Sequence, residues 1–131
     1  MRILLADHHA PPLWALKTML LEEPGFEVVG EAVNGEGLLE LTEKHRPDLI
    51  LMDRSLPSKP LENLIASLHL ILPKPVVIVM SSDPADGRLV LRAGADAFVS
   101  KGEQPDWLLD SLRRYVKPTP KEKEDSITKS Q

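Results

Sequence analysis

The sequence predicts an α/β fold in which five parallel strands form one sheet covered by helices on both faces. Three observations predict it. Short apolar runs alternate five times with amphipathic helical patterns along the 131 residues. The runs are apolar enough to be buried on both faces, as parallel strands must be. Helices of this length between strands imply right-handed crossovers, and so exclude a meander or a helical bundle.

The first run, residues 2–6, is followed by residues 10–22, where Leu13, Leu16, Met19 and Leu20 recur at helical spacing. Pro24 and Gly25 make a turn into a second strand over residues 26–33, and Leu38 and Leu41 mark one face of a helix over residues 37–45. Pro47 opens the third run, residues 49–52, which ends on Asp53 and leads to a helix over residues 61–72. The fourth run, residues 76–80, is rich in β-branched residues, ends on Ser81 and Ser82, and precedes a short helix over residues 85–92. Gly94 ends that helix, residues 95–100 make the fifth strand, and Pro105 starts a fifth helix over residues 105–116, capped by Gln104 or Asp106. Trp14 and Trp107 fall on helical faces and read as core. After Lys117 the chain is polar, mixed in charge and aperiodic, so residues 118–131 are expected to be a disordered tail or interdomain linker.

A length of 131 residues suits one compact domain. The net charge of −4 argues against a general nucleic-acid surface, because phosphate contacts need clustered Lys and Arg. The absence of Cys excludes disulfides and thiolate chemistry and suits a reducing cytosol. The N-terminal apolar run is too short for a signal peptide or a membrane span, so a cytoplasmic protein without membrane association is expected.

In an open parallel sheet, ligands sit outside the carboxyl ends of the strands, where the winding order reverses. If the strand order is the flavodoxin-like 2-1-3-4-5, the first and third strands are neighbours about 5 Å apart. Asp7, His8 and Asp53 then converge, with Ser81 and Lys101 flanking. Such a set suits phosphoryl transfer: a carboxylate attacks phosphorus, a cation held by carboxylates neutralises the equatorial oxygens, and an ammonium and a hydroxyl bind the rest.

Residues 1–117 resemble the receiver domain of bacterial two-component response regulators. The likeness is carried by Ile3-Leu4-Leu5-Ala6-Asp7-His8-His9, by Pro47-Asp48-Leu49-Ile50-Leu51-Met52-Asp53 with Leu56-Pro57, by Val79-Met80-Ser81-Ser82 and by residues 92–101 ending on Lys101. In detail the motifs are most similar to the subfamily with a C-terminal helix-turn-helix output domain, which is absent from these 131 residues. The resemblance implies that Asp53 accepts a phosphoryl group from a sensor histidine kinase and that Lys101 pairs with the phosphoryl oxygens. It implies that Ser81 is a switch hydroxyl, that Phe98 changes rotamer with it, and that Asp7, Asp53 and the backbone carbonyl of Ser55 hold Mg2+. It also implies a phosphoacceptor signalling domain and not an enzyme acting on an external substrate, a possible homodimer, and DNA binding only through an output domain.

The chain departs from the family pattern at His8, where an acid ordinarily ligates magnesium. Losing one unit charge about 4 Å from a cation is worth on the order of 1 to 4 kcal/mol, or roughly a tenfold to thousandfold weaker site. His8 admits three readings: a passive replacement, a cation paired with Asp53, or a ligand for a softer metal. Ser58-Lys59-Pro60-Leu61 replaces an acidic and glycine turn, Gly102 stands where many receivers have proline, and Gly87 weakens the fourth helix.

A second reading therefore stands beside the phosphorylated switch, a phosphorylation-independent module acting by dimerisation or docking. Ser81 and Phe98 also have bland readings, as a strand-end hydroxyl and a core aromatic. A cobalamin-type motif is opposed by Pro12, and Asn34-Gly35-Glu36-Gly37 supplies only two of the three glycines of a dinucleotide loop.

Overall fold

The computed structural model describes residues 1–8, 17–101 and 112–114. Five parallel strands lie in the order β2-β1-β3-β4-β5: β1 (Arg2–Ala6), β2 (Glu27–Ala32), β3 (Leu49–Asp53), β4 (Val76–Ser81) and β5 (Ala97–Ser100). Helical residues 17–21 (α1) precede β2. Helix α2 (Gly35–His45) follows it, α3 (Leu61–His69) follows β3, and a 3-10 turn (Pro84–Asp86) runs into α4 (Gly87–Arg92) before β5.

Strand order explains strand composition. The inner strands β1, β3 and β4 are almost wholly buried, with Ile3, Leu4, Leu5, Leu49, Ile50, Leu51, Val77 and Ile78 fully inaccessible to solvent. The edge strands β2 and β5 carry intermediate residues, and β2 begins on an exposed glutamate. Successive side chains of a strand point to opposite faces, and two separate cores result. Leu4, Ala6, Ile50, Met52, Val77 and Val79 pack with Leu38 of α2, Leu64, Ile65 and Leu68 of α3 and Val90 of α4. On the other face, Ile3, Leu5, Leu49, Leu51, Ile78 and Met80 meet Leu20 and Leu112. Full burial of each such aliphatic side chain contributes about 1.5 to 3 kcal/mol.

Local chemistry sets the element ends. Asn34 caps α2, its side chain accepting from the Gly37 amide at 2.7 Å. The helix ends on Arg46 in the left-handed region (φ 49°), with its amide donating to the Thr42 carbonyl. Thr42, wholly buried, satisfies its hydroxyl on the Leu38 carbonyl at 2.6 Å. Gly94 has φ 107°, a conformation that L side chains rarely adopt, and it turns the chain from α4 into β5.

Several predicted elements differ in extent, among them a second helix that starts at Gly35 and not at residue 37. The helix expected over residues 61–72 stops at His69, because Leu72 precedes Pro73 and such a residue is pushed out of helical conformation. The helix expected over residues 85–92 starts as a 3-10 turn, since Asp83 accepts from the Ala85 amide at 2.9 Å and Pro84 occupies the first position. The fifth strand begins at Ala97 and not at residue 95, Ala95 being tied back to the Val90 carbonyl. Trp14, Trp107, the start and cap of the fifth helix and the polar tail lie outside the described residues.

Candidate functional site

The polar residues of interest stand at or one residue past the carboxyl ends of the strands, where the backbone ladder still holds them. Asp7 follows β1, and its amide donates to the Ala32 carbonyl of β2 at 3.0 Å. Asp53 is the last residue of β3, in register with Met80, and the Arg54 amide continues the ladder to the Met80 carbonyl at 2.8 Å. Lys101 follows β5, its amide donating to the Ser81 carbonyl at 2.8 Å. Three charged side chains therefore start from fixed points on one rim.

They meet there. The Lys101 ammonium lies 2.8 Å from Asp7 Oδ2 and 2.7 Å from Asp53 Oδ1. Asp7 is 1 % exposed and Asp53 4 % exposed, so one ammonium bridges two buried carboxylates. The other oxygen of Asp53 accepts from the Ser55 amide at 3.0 Å and from the Ser55 hydroxyl. Burial alone would raise the Asp53 pKa, but Lys101 and Ser55 outweigh it and hold the carboxyl below its ordinary value. Burial alone would lower that of Lys101, and Asp53 with Asp7 outweighs it in turn, so the ammonium is held above its ordinary value. Asp53 is thus kept ionised, the state a nucleophilic carboxylate needs.

His8 stands beside this pair on the exposed side, and one ligand atom from each of Asp7, His8 and Asp53 lies within 4.8 Å of the others. Formally, two carboxylates face one ammonium, a negative balance that suits a divalent cation. The donor set fits such an ion, with imidazole nitrogen in place of a third carboxylate oxygen.

The β4 side is arranged differently. The Ser81 hydroxyl donates to Asp86 Oδ2 at 2.6 Å and accepts from the Asp83 amide at 3.1 Å. Arg54 lies 3.6 Å from the same Asp86 oxygen. Ser81 is on the rim as expected, yet its hydroxyl is committed to Asp86. Phe98 on β5 is half-buried and packs over Gly87: a Cβ at Gly87 would lie 3.2 Å from the ring, so the glycine that weakens the helix also admits the aromatic.

Sequence reasoning brought together Asp7, His8, Asp53 and Lys101 and missed one contributor. Ser55, expected through its backbone carbonyl, also contacts Asp53 with its amide and hydroxyl. Asp86 was not singled out; the Asp83-Pro84 turn signature that folds residue 86 back toward the end of β4 was the available signal.

A sequence profile described as the response regulator receiver domain matches residues 3–113. The nitrate/nitrite response regulator protein NarL of Escherichia coli (strain K12) is 36% identical over 117 residues, covering 86% of this chain and 53% of that protein. The chemotaxis protein CheY of Thermotoga maritima is 30% identical over 118 residues, covering 88% of this chain and 98% of that one. Among solved structures, the signal receiver domain of the putative response regulator NarL from Mycobacterium tuberculosis aligns with a TM-score of 0.79 at 25% identity, covering 90% of this chain and 97% of that domain. The chain spans about half the length of NarL of E. coli and of several other curated relatives that it matches.

Proposed function

The chain belongs to the response regulator receiver domain family, and from that premise we propose that it is a signalling switch phosphorylated on Asp53 by a sensor histidine kinase. The observation that carries the reading is the single Lys101 ammonium bridging Asp7 and Asp53 at 2.8 and 2.7 Å. In the transfer, an Asp53 carboxylate oxygen forms the new bond to phosphorus while the bond from phosphorus to the donor histidine nitrogen breaks, leaving the electron pair on that imidazole. Lys101 stays within reach of the new acyl phosphate and offsets its charge. Asp7, Asp53 and the Ser55 backbone carbonyl would hold a divalent cation, Mg2+ in the family pattern, which neutralises the equatorial oxygens when bound.

Ser81 and Phe98 are the switch pair in this reading. For Ser81 to reach a phosphoryl oxygen its hydroxyl must leave Asp86, and Phe98 must repack against Gly87. The output passes to a partner, to a second copy of the chain, or to DNA through an output domain of the helix-turn-helix subfamily. In this reading residues 1–117 form the receiver and residues 118–131 a polar tail or interdomain linker. No helix among the described residues is long and apolar enough to cross a membrane, and a cytoplasmic location suits both the proposed kinase partner and the lack of cysteine.

The test is incubation with a small phosphodonor and a divalent cation, read by intact mass. The expected result is a gain of about 80 Da that disappears in Asp53→Asn. A second reading, a module that docks partners without phosphorylation, is favoured by His8 and by the Ser81 hydroxyl being held on Asp86. Absence of the adduct with every cation tried, together with unchanged partner binding by Asp53→Asn, would establish it in place of the first.

A further inference from the structure

We propose that the corner formed by Asp7, His8 and Asp53 selects a borderline first-row divalent cation, of the series from Mn2+ to Zn2+, over Mg2+. The proposal rests on the phosphoacceptor reading of this pocket and adds the identity of its ion.

Three ligand atoms, two carboxylate oxygens and one imidazole nitrogen, lie within 4.8 Å of one another. The two acids are anchored by the strand ends and buried, which fixes two corners, and His8 supplies the third from the solvent side. Mg2+ takes oxygen ligands in a strict octahedron and gives up water reluctantly, so an imidazole adds little to its binding. Exchanging a carboxylate for that imidazole also removes a negative charge, which weakens any cation by roughly tenfold to thousandfold. For ions toward the Zn2+ end, the nitrogen bond makes up the loss, because imidazole suits them and affinity for mixed nitrogen and oxygen sites rises along the series. Lys101 contacts the same carboxylates and competes with every dication alike, so it lowers affinity without changing preference. Selectivity is therefore set by His8.

The other histidine and acid pair, His69 and Asp96 at 2.9 Å, sits at the opposite rim, where Asp96 also accepts from the Val77 amide at 2.8 Å. It serves as an internal control.

The experiment titrates the full chain with Mg2+, Mn2+ and Co2+ by calorimetry and follows Co2+ by its visible absorption, which reports the coordination environment of the ion. Co2+ is expected to bind at least about tenfold more tightly than Mg2+. His8→Asp should erase that preference, and His69→Gln should leave it unchanged. Equal affinities in the parent chain, or a Co2+ preference over Mg2+ untouched by His8→Asp, would overturn the proposal and leave His8 a passive replacement. Phosphorylation of the parent and His8→Asp proteins with each cation separates the two layers of inference. An adduct on Asp53 without Co2+ preference refutes only the ion's identity, whereas no adduct in either protein with any cation refutes the phosphoacceptor reading beneath it.

Discussion

Two sets of polar groups on the strand rim are held in different ways. At the ends of β1, β3 and β5, Lys101 contacts both Asp7 and Asp53, each projecting from a residue whose backbone is tied into the sheet. On the side of β4 and α4, the Ser81 hydroxyl is held by Asp86, a residue of a short 3-10 turn with no strand behind it. The first arrangement is built into the sheet and changes only when charge is added or removed. The second depends on a local turn. In the proposed switch the first would hold the phosphoryl group and the second would report it.

Removing Lys101 should test the sheet-anchored set with the largest effect. Lys101→Met leaves two buried carboxylates facing each other and is expected to destabilise the fold by about 3 kcal/mol, read from urea denaturation, and to abolish the Asp53 adduct. A loss below about 0.5 kcal/mol would mean that the pair is no more than a surface contact.

The pH dependence comes next. The Asp53 pKa is lowered in the fold, so its contribution is present above the ordinary carboxylate range and lost as pH falls through the lowered value. The Lys101 pKa is raised, so its contribution is present below the ordinary lysine value and lost as pH climbs through the raised one. Denaturation midpoints should decline at both extremes, and in Lys101→Met the alkaline decline attributable to this group should vanish. Its persistence would place the alkaline transition elsewhere.

The turn-held set should respond less. Asp86→Asn weakens a charge-assisted bond to Ser81 and is expected to cost about 1 kcal/mol while leaving the Asp53 titration, followed by carboxyl carbon NMR, unmoved. A shifted Asp53 titration would show that the two sides are coupled before phosphorylation. Arg54→Ala removes a 3.6 Å pair to the same acid whose arginine side is 39 % exposed. It should cost no more than about 0.5 kcal/mol by the same denaturation assay.

The division also explains what the sequence disclosed. The convergence of Asp7, Asp53 and Lys101 was readable because apolar runs that end abruptly on charge show where a strand lies and where its rim begins, while the strand order came from the flavodoxin-like pattern. The continuous apolar character of residues 49–52 and 76–80 against the mixed character of residues 26–33 matches their inner and edge positions. The pairing of Ser81 with Asp86 was not, since it depends on how sharply Asp83 and Pro84 fold the chain back, and helical periodicity over residues 85–92 does not encode that. The side-chain contact of Ser55 was not legible for a similar reason. Its rotamer, which brings the hydroxyl onto Asp53, is a property of the two-residue turn after β3. Helix ends such as His69 were off by three residues because proline two to four positions downstream limits the helix without marking its last turn.

The sheet keeps its two aliphatic layers apart, with Leu4, Ile50 and Val77 on one side and Ile3, Leu49 and Ile78 on the other. A lineage can therefore accumulate substitutions beneath one helical layer without retuning the opposite one. Repacking on either flank leaves in place the acids and the ammonium, which project from the strand ends and not from either layer.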